Sequence, residues 1–366
     1  MERLTKIVCT LGPASSTVEI ISEMAKSGMD FARLNFSHGS HDEHLSRINM
    51  ARSASKLARK RILLLQDLPG PKLRIGILPN PITLEEGSSI TLSTSGAKGT
   101  LPAPKNLMEL IGDGAFVLVA DGKIRLKVEA LSKSGAECAV LRGGIVSSGK
   151  GVNVVGGHTT GSAVTEEDIK HIRFGHSNNV DCIAVSFVRN ASDIEYAKSI
   201  IKGLGGKTPV IAKIEKPEAV DNIKEIVAVS DAVMVARGDL GVEMGIEHVP
   251  FAQKRIIKEA NKQAKPVITA TQMLASMVGS KVPTRAEVSD VVNSMLDGTD
   301  AVMTSEETAV GNNPIDVVEV LSMLLESAEA TDLKIRKRLN ARKGASYGLF
   351  TGAADKITSN IPESVN

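Results

Sequence analysis

The sequence predicts an α/β fold, specifically a (β/α)8 TIM barrel with an all-β domain inserted after strand 3. Three observations predict this class. About eight apolar runs of strand length alternate with amphipathic segments of helix length, as in parallel βα units. Between residues 71 and 157 this alternation gives way to short strands rich in Gly, Ser and Thr, and then it resumes. Charged residues follow several apolar runs, at the strand ends where the active sites of barrels lie.

Three strands precede the change in composition, at residues 6–10, 31–35 and 61–67. The first strand is followed by a helix that we expect Ser15 or Ser16 to cap. Ser40 and Glu43 have the spacing of a capping box, which opens a second helix running to about Arg59. These segments form the opening βα units of the predicted barrel.

The inserted segment is predicted to be a small β-barrel or sandwich. Its short alternating strands are at residues 89–93, 116–119 and 124–128. Pro69-Gly70-Pro71 and Gly156-Gly157 bound the segment, as expected of hinges. We therefore divide the chain into a barrel domain (1–70 and 158–331), an inserted lid domain (71–157) and a short tail (332–366).

Five further strands follow the insert, at residues 181–186, 210–213, 232–236, 266–269 and 301–304. Each is an uninterrupted apolar run, which is typical of parallel strands that are buried on both faces. A last helix is predicted over residues 316–329, where apolar residues recur at helical spacing. Together with the first three strands, these complete a closed barrel.

The bulk composition excludes several classes of protein. The 366 residues carry a net charge of only +2, and aromatic residues make up 2% with no Trp, so no nucleic-acid partner is indicated. Three widely spaced cysteines argue against a disulfide framework. No apolar signal region precedes the first strand, and no apolar run reaches the ~18 residues of a membrane span. We therefore expect a cytoplasmic protein with no membrane partner.

Two charged pairs at the ends of buried strands are the most informative feature. Lys213 and Glu215 follow an apolar run and lie two residues apart, so they share one face of a strand. Arg237 and Asp239 repeat the pattern after the next apolar run. Such charges are costly to desolvate unless they bind something. The simplest ligand is a divalent metal carrying an anionic substrate.

The complete set of polar residues at predicted strand ends is Thr10, Arg33, Asn35, Asp67, Ser186, Lys213, Glu215, Asp239, Thr271 and Ser305. Hard carboxylate oxygens from Glu215 and Asp239 suit Mg²⁺ or Mn²⁺, with substrate oxygens and water completing the coordination. Arg33 and Lys213 are expected to meet phosphate. Residues 237–241 present backbone N–H groups near a helix start, which is a seat for carboxylate or phosphate.

Six segments together carry a resemblance to a known family: Cys9–Ser15 (CTLGPAS), Arg33–Gly39 (RLNFSHG), Ile211–Glu215 (IAKIE), Met234–Gly241 (MVARGDLG), Thr269–Leu274 (TATQML) and Pro283–Asp290 (PTRAEVSD). In this order, over residues 1 to about 330, the chain resembles the pyruvate kinases. The fold of that family is a barrel with a β-domain inserted after strand 3, in agreement with the composition. The resemblance implies Mg²⁺-dependent phosphoryl transfer from phosphoenolpyruvate to ADP, giving pyruvate and ATP.

The resemblance also implies roles for individual residues. Glu215 and Asp239 would hold Mg²⁺ together with substrate oxygens. Lys213 would neutralise the transferring phosphoryl group, which Arg33 would also grip. Gly238 and Asp239 would offer backbone N–H groups to the substrate carboxylate.

The remaining implied roles concern the enolate and the nucleotide. Thr271 would lie beside the enolate face, and our hypothesis for enolate protonation is a water relay through Thr271 and Ser305. Closure of the lid would bring cations onto the phosphates and exclude water. The implied nucleotide contacts are Asn35, Ser37 and His38 on the barrel, with Arg74 and Lys150 flanking the insert.

The family commonly binds a monovalent cation through Asn35, Ser37, Asp67 and the carbonyl group of residue 68. Here Leu68 stands where many members have Thr, and Lys72 stands where potassium-requiring members have Glu. The ammonium group of Lys72 would take the role of the cation. The resemblance therefore predicts that K⁺ is not required.

Two further departures from the family pattern concern a loop and the chain length. Thr304 and Glu306 stand where the family usually has Leu and Gly, on either side of the usual Ser305, and Glu306 bears on the local backbone and on nucleotide approach. The family usually adds a carboxyl-terminal α/β domain with effector sites, for which residues 332–366 are too few. We therefore expect no conventional activation by a sugar phosphate, while a homo-oligomer through the barrel face remains open.

Two alternative functions stay open from the residues alone. A Mg²⁺-dependent aldolase or lyase working through a pyruvate enolate also places Glu and Asp at successive strand ends of a barrel. A family member without catalytic activity is the other alternative. Arg74 and Lys150 on the insert favour nucleotide use over the lyase. The residues Lys213, Glu215, Asp239 and Thr271 argue against a loss of activity.

Overall fold

The computed structural model describes residues 3–97, 99–120, 122–132, 135–155, 162–332, 335 and 337. The chain divides into two compact units. The first comprises Met1–Gly70, Ala163–Arg237 and Pro250–Asn366, and the second comprises Pro71–Ser162 and Gly238–Val249. The predicted hinge at Gly156-Gly157 and most of the predicted tail lie outside the described residues.

Most of the first unit is built of βα repeats, whereas the second is mainly β-structure. In chain order the described strands are β1 (Lys6–Thr10), β2 (Phe31–Asn35), β3 (Leu63–Asp67), β4 (Leu73–Arg74), β5 (Ile82–Leu84), β6 (Ser89–Ser93), β7 (Thr100–Pro102), β8 (Phe116–Val119), β9 (Ile124–Ser132), β10 (Gly135–Arg142), β11 (Gly144–Val146), β12 (Gly151–Val154), β13 (Cys182–Val185), β14 (Val210–Ile214), β15 (Ala232–Ala236), β16 (Val267–Ala270) and β17 (Ala301–Thr304).

The described α-helices connect these strands and are, in chain order, α1 (Val18–Ser27), α2 (His41–Ala58), α3 (Lys105–Met108), α4 (Glu166–Ser177), α5 (Ala191–Gly203), α6 (Pro217–Asp221), α7 (Ile223–Val229), α8 (Arg237–Met244), α9 (Val249–Lys262), α10 (Arg285–Asp297), α11 (Glu306–Ala309) and α12 (Pro314–Thr331). Among the described helices, none combines the length and apolarity needed to cross a bilayer.

The predicted barrel is confirmed. Eight parallel strands close in the order β1-β17-β16-β15-β14-β13-β3-β2. Alternate residues of these strands fill the barrel interior with apolar side chains, as expected of a packed barrel core. That interior cluster consists of Val8, Phe31, Leu63, Leu65, Cys182, Ala184, Ile211, Ala232, Met234, Ile268, Ala270, Ala301 and Met303.

The start of the first helix differs from the prediction. Thr17 caps α1, since its side chain accepts a hydrogen bond from the N–H of Ile20. Ser15 instead belongs to a short 3₁₀ turn, where its hydroxyl accepts from the N–H of Gly12 and donates to the carbonyl of Thr308. The capping box at Ser40 and Glu43 is confirmed, and α2 ends at Ala58, one residue from the predicted boundary.

The second unit contains a seven-stranded sheet in the order β4-β12-β8-β9-β10-β6-β7 and a two-stranded sheet of β11 and β5. All neighbouring strands of the larger sheet are antiparallel except β6 and β7. Residues 238–249 belong to this unit, within which Asp239 bonds to Lys72 and Glu243 bonds to Asn153. The sequence placed this segment with the barrel, and the sequence-based division into folding domains stays a prediction.

Candidate active site

The inward-facing rows of several barrel strands end in a polar residue. Ile211 lies in the interior cluster, and Lys213 and Glu215 continue the same row at the carboxyl end of β14. Leu65 and Asp67 are related in the same way on β3. The two-residue period of a strand thus places charged side chains directly on top of the apolar barrel core.

Asp67 lies between two cations. Its Oδ2 contacts the Nε of Arg33 at 2.6 Å, and its Oδ1 contacts the Nζ of Lys213 at 3.0 Å. The Asp67 side chain is only 1% exposed. Burial by itself raises the pKa of this carboxyl group, but the charges and hydrogen bonds of Lys213 and Arg33 outweigh burial and hold the pKa below its usual value. Asp67 is therefore a negatively charged counterion shared by both cations.

Lys213 is held by two further oxygens. Its Nζ contacts Oε1 of Glu215 at 2.9 Å and donates to the hydroxyl of Ser186 at 2.6 Å. That hydroxyl in turn donates to the carbonyl of Leu68 at 2.6 Å. The ammonium group is therefore surrounded by oxygens that fix its position. The positive charge is in place before a ligand binds, so less side-chain entropy is lost on binding.

The carboxylate of Glu215 has a fixed orientation. Its Oε2 accepts a hydrogen bond of 2.7 Å from the backbone N–H of Phe187, while Oε1 faces Lys213. Phe187 has a positive φ of 55°, which is rare for a bulky residue. The unusual backbone angle is thus found where an N–H group is directed at a proposed metal ligand.

Arg33 connects the ends of neighbouring strands. Besides Asp67, it binds the hydroxyl of Thr10, with its Nη1 donating at 2.9 Å. The Thr10 hydroxyl donates to the carbonyl of Thr304 at 2.7 Å. These bonds tie β1, β2, β3 and β17 together at their carboxyl ends.

The turn after β2 carries the predicted nucleotide residues of the barrel. Asn35 pairs in register with Asp67, and its Oδ1 accepts from the N–H of Ser37 at 3.1 Å, an Asx turn. The N–H of Phe36 donates to the carbonyl of Asp67 at 3.0 Å. The turn is therefore anchored on β3, beside the charged cluster.

His38 follows this turn and is exposed. Its carbonyl is bound by Nε2 of His44 at 3.0 Å, and the ring of His44 stacks on Phe36 with centroids 3.9 Å apart. Burial, aided by the charge of Arg47, lowers the pKa of His44 to about 4. A neutral histidine thus supports the backbone of this segment.

Thr271 and Ser305 follow β16 and β17. The carbonyl of Thr271 accepts a 2.7 Å hydrogen bond from Nη2 of Arg237. The N–H of Ser305 donates to Oε2 of Glu307 at 2.6 Å, and Oε1 of the same carboxylate accepts from the N–H of Leu274. Glu307 therefore links the loops that carry the two residues of the predicted relay.

In the second unit, Asp239 is paired with Lys72. Oδ1 of Asp239 lies 2.7 Å from Nζ of Lys72. Gly238 and Asp239 belong to the first turn of α8, where backbone N–H groups have no partner within the helix. The resemblance implies that the N–H groups of Gly238 and Asp239 bind the substrate carboxylate and that the carboxylate of Asp239 binds the metal.

Arg74 and Lys150 lie on adjoining chain segments of the second unit. Arg74 pairs in register with Gly151, and its guanidinium donates to the carbonyl of Gly149 at 2.9 Å. The carbonyl of Lys150 accepts from the N–H of Ile75. The two predicted nucleotide-binding cations are thus neighbours in the chain fold, Arg74 on β4 and Lys150 immediately before β12.

The described residues include oxygen donors for a divalent metal, but these donors do not form a complete set of metal ligands. Within the residues described, no group of three or more His, Cys, Asp or Glu side chains could hold an ion. Mg²⁺ is usually bound by one or two carboxylates with substrate oxygens and water, so Glu215 and Asp239 fit this chemistry by their donor type. The side chain of Glu215 is 1% exposed, and a carboxylate this buried needs a charged or hydrogen-bonding partner to offset the cost of desolvation.

The structure gathers part of the predicted set into one cluster of the first unit, formed by Thr10, Arg33, Asp67, Leu68, Ser186, Lys213 and Glu215. Lys72, Arg74, Lys150, Gly238 and Asp239 belong to the second unit. The sequence did not indicate the contacts of Arg237, which forms an ion pair with Asp290. Nothing local to Arg237 could have revealed a partner 53 positions away.

A closed (β/α)8 barrel with charged groups at the carboxyl ends of its strands is the architecture of a barrel enzyme. A family model described as pyruvate kinase, barrel domain, matches residues 2–318. The chain is 46% identical over 334 residues to a pyruvate kinase of Corynebacterium glutamicum, covering 90% of this chain and 70% of the relative. The chain belongs to the pyruvate kinase family.

Two other relatives extend the comparison. A pyruvate kinase of Thermococcus litoralis is 44% identical over 330 residues, which cover 89% of this chain and 70% of the relative. Pyruvate kinase 2 of Synechocystis sp. is 41% identical over an alignment of 375 residues, with 100% of this chain and 63% of the relative covered. The similarity therefore extends well beyond the individual motifs.

Proposed function

We propose that this chain transfers a phosphoryl group from phosphoenolpyruvate to ADP, giving pyruvate and ATP, the last step of glycolysis. The observation that supports this most directly is the cluster of Arg33, Asp67, Lys213 and Glu215 above the barrel core. Phosphoryl transfer through a loose transition state asks the protein mainly for positioning and for positive charge. Two buried cations with a shared counterion meet both needs.

In this proposal Glu215 and Asp239 hold the divalent ion, which is Mg²⁺ or Mn²⁺. The metal when bound neutralises charge on the phosphoryl oxygens. Lys213 and Arg33 bind the same phosphoryl group, and Asp67 keeps both cations oriented before substrate arrives. The backbone N–H groups of Gly238 and Asp239 bind the carboxylate of the substrate.

The enolate left after transfer is protonated in a second step. We propose that Thr271 and Ser305 order the water that delivers this proton. The support is their position after β16 and β17, with loops that are joined through Glu307. The nucleotide is bound by Asn35, Ser37, His38, Arg74 and Lys150.

We propose further that K⁺ is not required. Asp67 already faces Arg33 and Lys213, and the carbonyl of Leu68 already accepts from Ser186. These contacts occupy two members of the set that binds a monovalent cation elsewhere in the family, which comprises Asn35, Ser37, Asp67 and Leu68. In this proposal the ammonium group of Lys72, which pairs with Asp239 within the second unit, takes the role of the cation.

The central experiment follows pyruvate against time with purified protein, phosphoenolpyruvate, ADP and Mg²⁺. We expect pyruvate only when all four components are present, and a loss of activity when the metal is chelated. Lys213→Met should lower kcat by about 10²- to 10³-fold, as expected for loss of one preorganised charge. Lys202→Met, on the exposed side of α5, is the matched control and should leave kcat unchanged.

Pyruvate release without ADP, or equal rates for Lys213→Met and the wild-type protein, would contradict the proposal. A cytoplasmic location and a homo-oligomer through the barrel face stay predictions. The sedimentation of the purified chain measures the oligomeric state.

A further inference from the structure

The turn after β16 has a backbone conformation that is unfavourable for residues with a Cβ atom. Thr271 and Gln272 are consecutive residues with positive φ angles of 77° and 54°. Residues with a Cβ atom rarely adopt this region, and a β-branched residue such as Thr is an outlier there. A conformation of this kind persists only when surrounding groups hold it.

The side chain of Arg237 is hydrogen-bonded to this turn. Its Nε donates to the carbonyl of Ala270 at 3.2 Å, and its Nη2 donates to the carbonyl of Thr271 at 2.7 Å. Nη2 also approaches Sδ of Met273 at 3.0 Å. One planar guanidinium group thus binds two successive carbonyls at the point where the backbone changes to positive φ.

Asp290 orients the guanidinium from the opposite side. Its carboxylate contacts Nη1 of Arg237 at 2.7 Å. The side chain of Asp290 is 37% exposed, whereas that of Arg237 is 13% exposed. An ion pair with one exposed partner stabilises the fold little. The main effect of the Asp290 contact is therefore to orient Arg237 for its hydrogen bonds to the two carbonyls.

We propose that Arg237 is a positioning residue for the reaction: it holds the Thr271 turn in the conformation that serves enolate protonation. The inference rests on the proposed function for the step that it affects. Arginine is needed because only its planar fork reaches two carbonyls and a carboxylate together, whereas a lysine ammonium is a point donor. Arg237 acts through Thr271 and does not itself touch the substrate.

A double-mutant cycle tests this role, with Arg237→Lys, Thr271→Ala and the double variant. Arg237→Lys should lower kcat by about 10- to 100-fold, since misplacement of a reacting group by ~1 Å has effects of this size. The KM for phosphoenolpyruvate should change less than about threefold, because binding groups stay in place. In the Thr271→Ala background, Arg237→Lys should add less than about twofold. Independent, multiplicative effects on kcat would overturn the inference.

Arg61→Lys is the matched control. Arg61 also forms an ion pair with an aspartate, Nη2 to Oδ1 of Asp181 at 2.9 Å, but at the amino ends of β3 and β13. Arg61→Lys should leave kcat and KM unchanged. Thermal unfolding of each variant separates a general loss of stability from a change at the turn.

Hydrogen exchange of the peptide spanning residues 269–274 tests the inference without relying on catalytic activity. It should be faster in Arg237→Lys than in the wild-type protein and unchanged in Arg61→Lys. If the wild-type protein makes no pyruvate, the proposed function fails, yet the exchange result still decides whether Arg237 holds the turn. Unchanged exchange in Arg237→Lys would overturn the inference even in an active enzyme.

Discussion

Asp67 is the counterion of both Arg33 and Lys213 and fixes the positions of their charged groups. Removal of its charge would leave Arg33 and Lys213 buried without their shared counterion, and breaking a buried pair commonly costs about 3–5 kcal/mol. The same carboxylate fixes where both cations point. Stability and preorganisation of the site are therefore properties of the same bonds.

At the residue scale, Thr271→Ala tests the proton relay. The variant removes the hydroxyl that would order the protonating water, so exchange of the pyruvate methyl protons with solvent should slow by about 10²-fold, the lower range for general acid–base assistance. Substrate affinity should change far less. Proton exchange is followed by NMR in D₂O, with Thr271→Ser as the variant that keeps the hydroxyl. An unchanged exchange rate in Thr271→Ala would refute the relay.

A second residue-scale prediction concerns acid stability. His44 is neutral in the fold, with its pKa lowered from 6.5 to about 4 mainly by burial. The unfolded chain therefore takes up a proton at higher pH than the folded one, so the stability contributed by neutral His44 is present above pH 6.5 and is lost as pH falls toward 4. His44→Gln should show a smaller decline of Tm over this range. Parallel Tm curves for the two proteins would contradict this.

At the element scale, α4 depends on a glycine for its contact with β3. A Cβ at Gly175 would lie 2.0 Å from Oε1 and 2.8 Å from Cδ of Gln66, which is fully buried. Nε2 of Gln66 also donates to the carbonyl of His171 in the same helix. The glycine thus allows α4 to lie directly against a polar side chain of the barrel wall.

Gly175→Ala should therefore destabilise the protein by about 1–3 kcal/mol, the usual effect of overpacking. Alanine would otherwise favour a helix by about 1 kcal/mol over glycine. Gly203→Ala is the control, since it lies at the end of α5 with no atom within 4 Å of an added Cβ. Urea unfolding of both variants gives the comparison, and equal stabilities would show that α4 shifts at little cost.

The first helix illustrates the limit of local rules at this scale. Ser15 satisfies the sequence requirement for a cap, as does Thr17. The structure uses Thr17, because the hydroxyl of Ser15 bonds to the carbonyl of Thr308, 293 positions away along the chain. A competing long-range partner decided between two residues that are locally equivalent.

At the scale of the whole molecule, the barrel could be predicted because most of its strands are apolar runs that alternate with segments of helix length. The two-residue period of β14 correctly predicted that Lys213 and Glu215 share a face, and their contact at 2.9 Å follows from it. The cluster around Asp67 depends instead on register between strands. Registers such as Asn35 with Asp67 are set by closure of the barrel, which no single segment contains.

The last prediction concerns the monovalent cation requirement of the whole enzyme. Lys72 pairs with Asp239 at 2.7 Å, and Asp67 and Leu68 are already bonded within the first unit. We therefore expect the initial rate of pyruvate formation to change less than about twofold when tetramethylammonium replaces K⁺ at constant ionic strength. A collapse of the wild-type rate in tetramethylammonium would show that K⁺ is required.

Lys72→Glu reverses the charge at this position and should make the enzyme depend on K⁺. A unit charge at about 4 Å contributes about 1 to 4 kcal/mol at surface dielectric constants, so the rate without K⁺ should fall about tenfold or more and recover when K⁺ is added. Lys123→Glu, an exposed residue of the same unit, gives an equal change in net charge and should leave the rate insensitive to K⁺. If Lys72→Glu also stays insensitive, then Lys72 does not take the role of the cation, and another group must supply that charge.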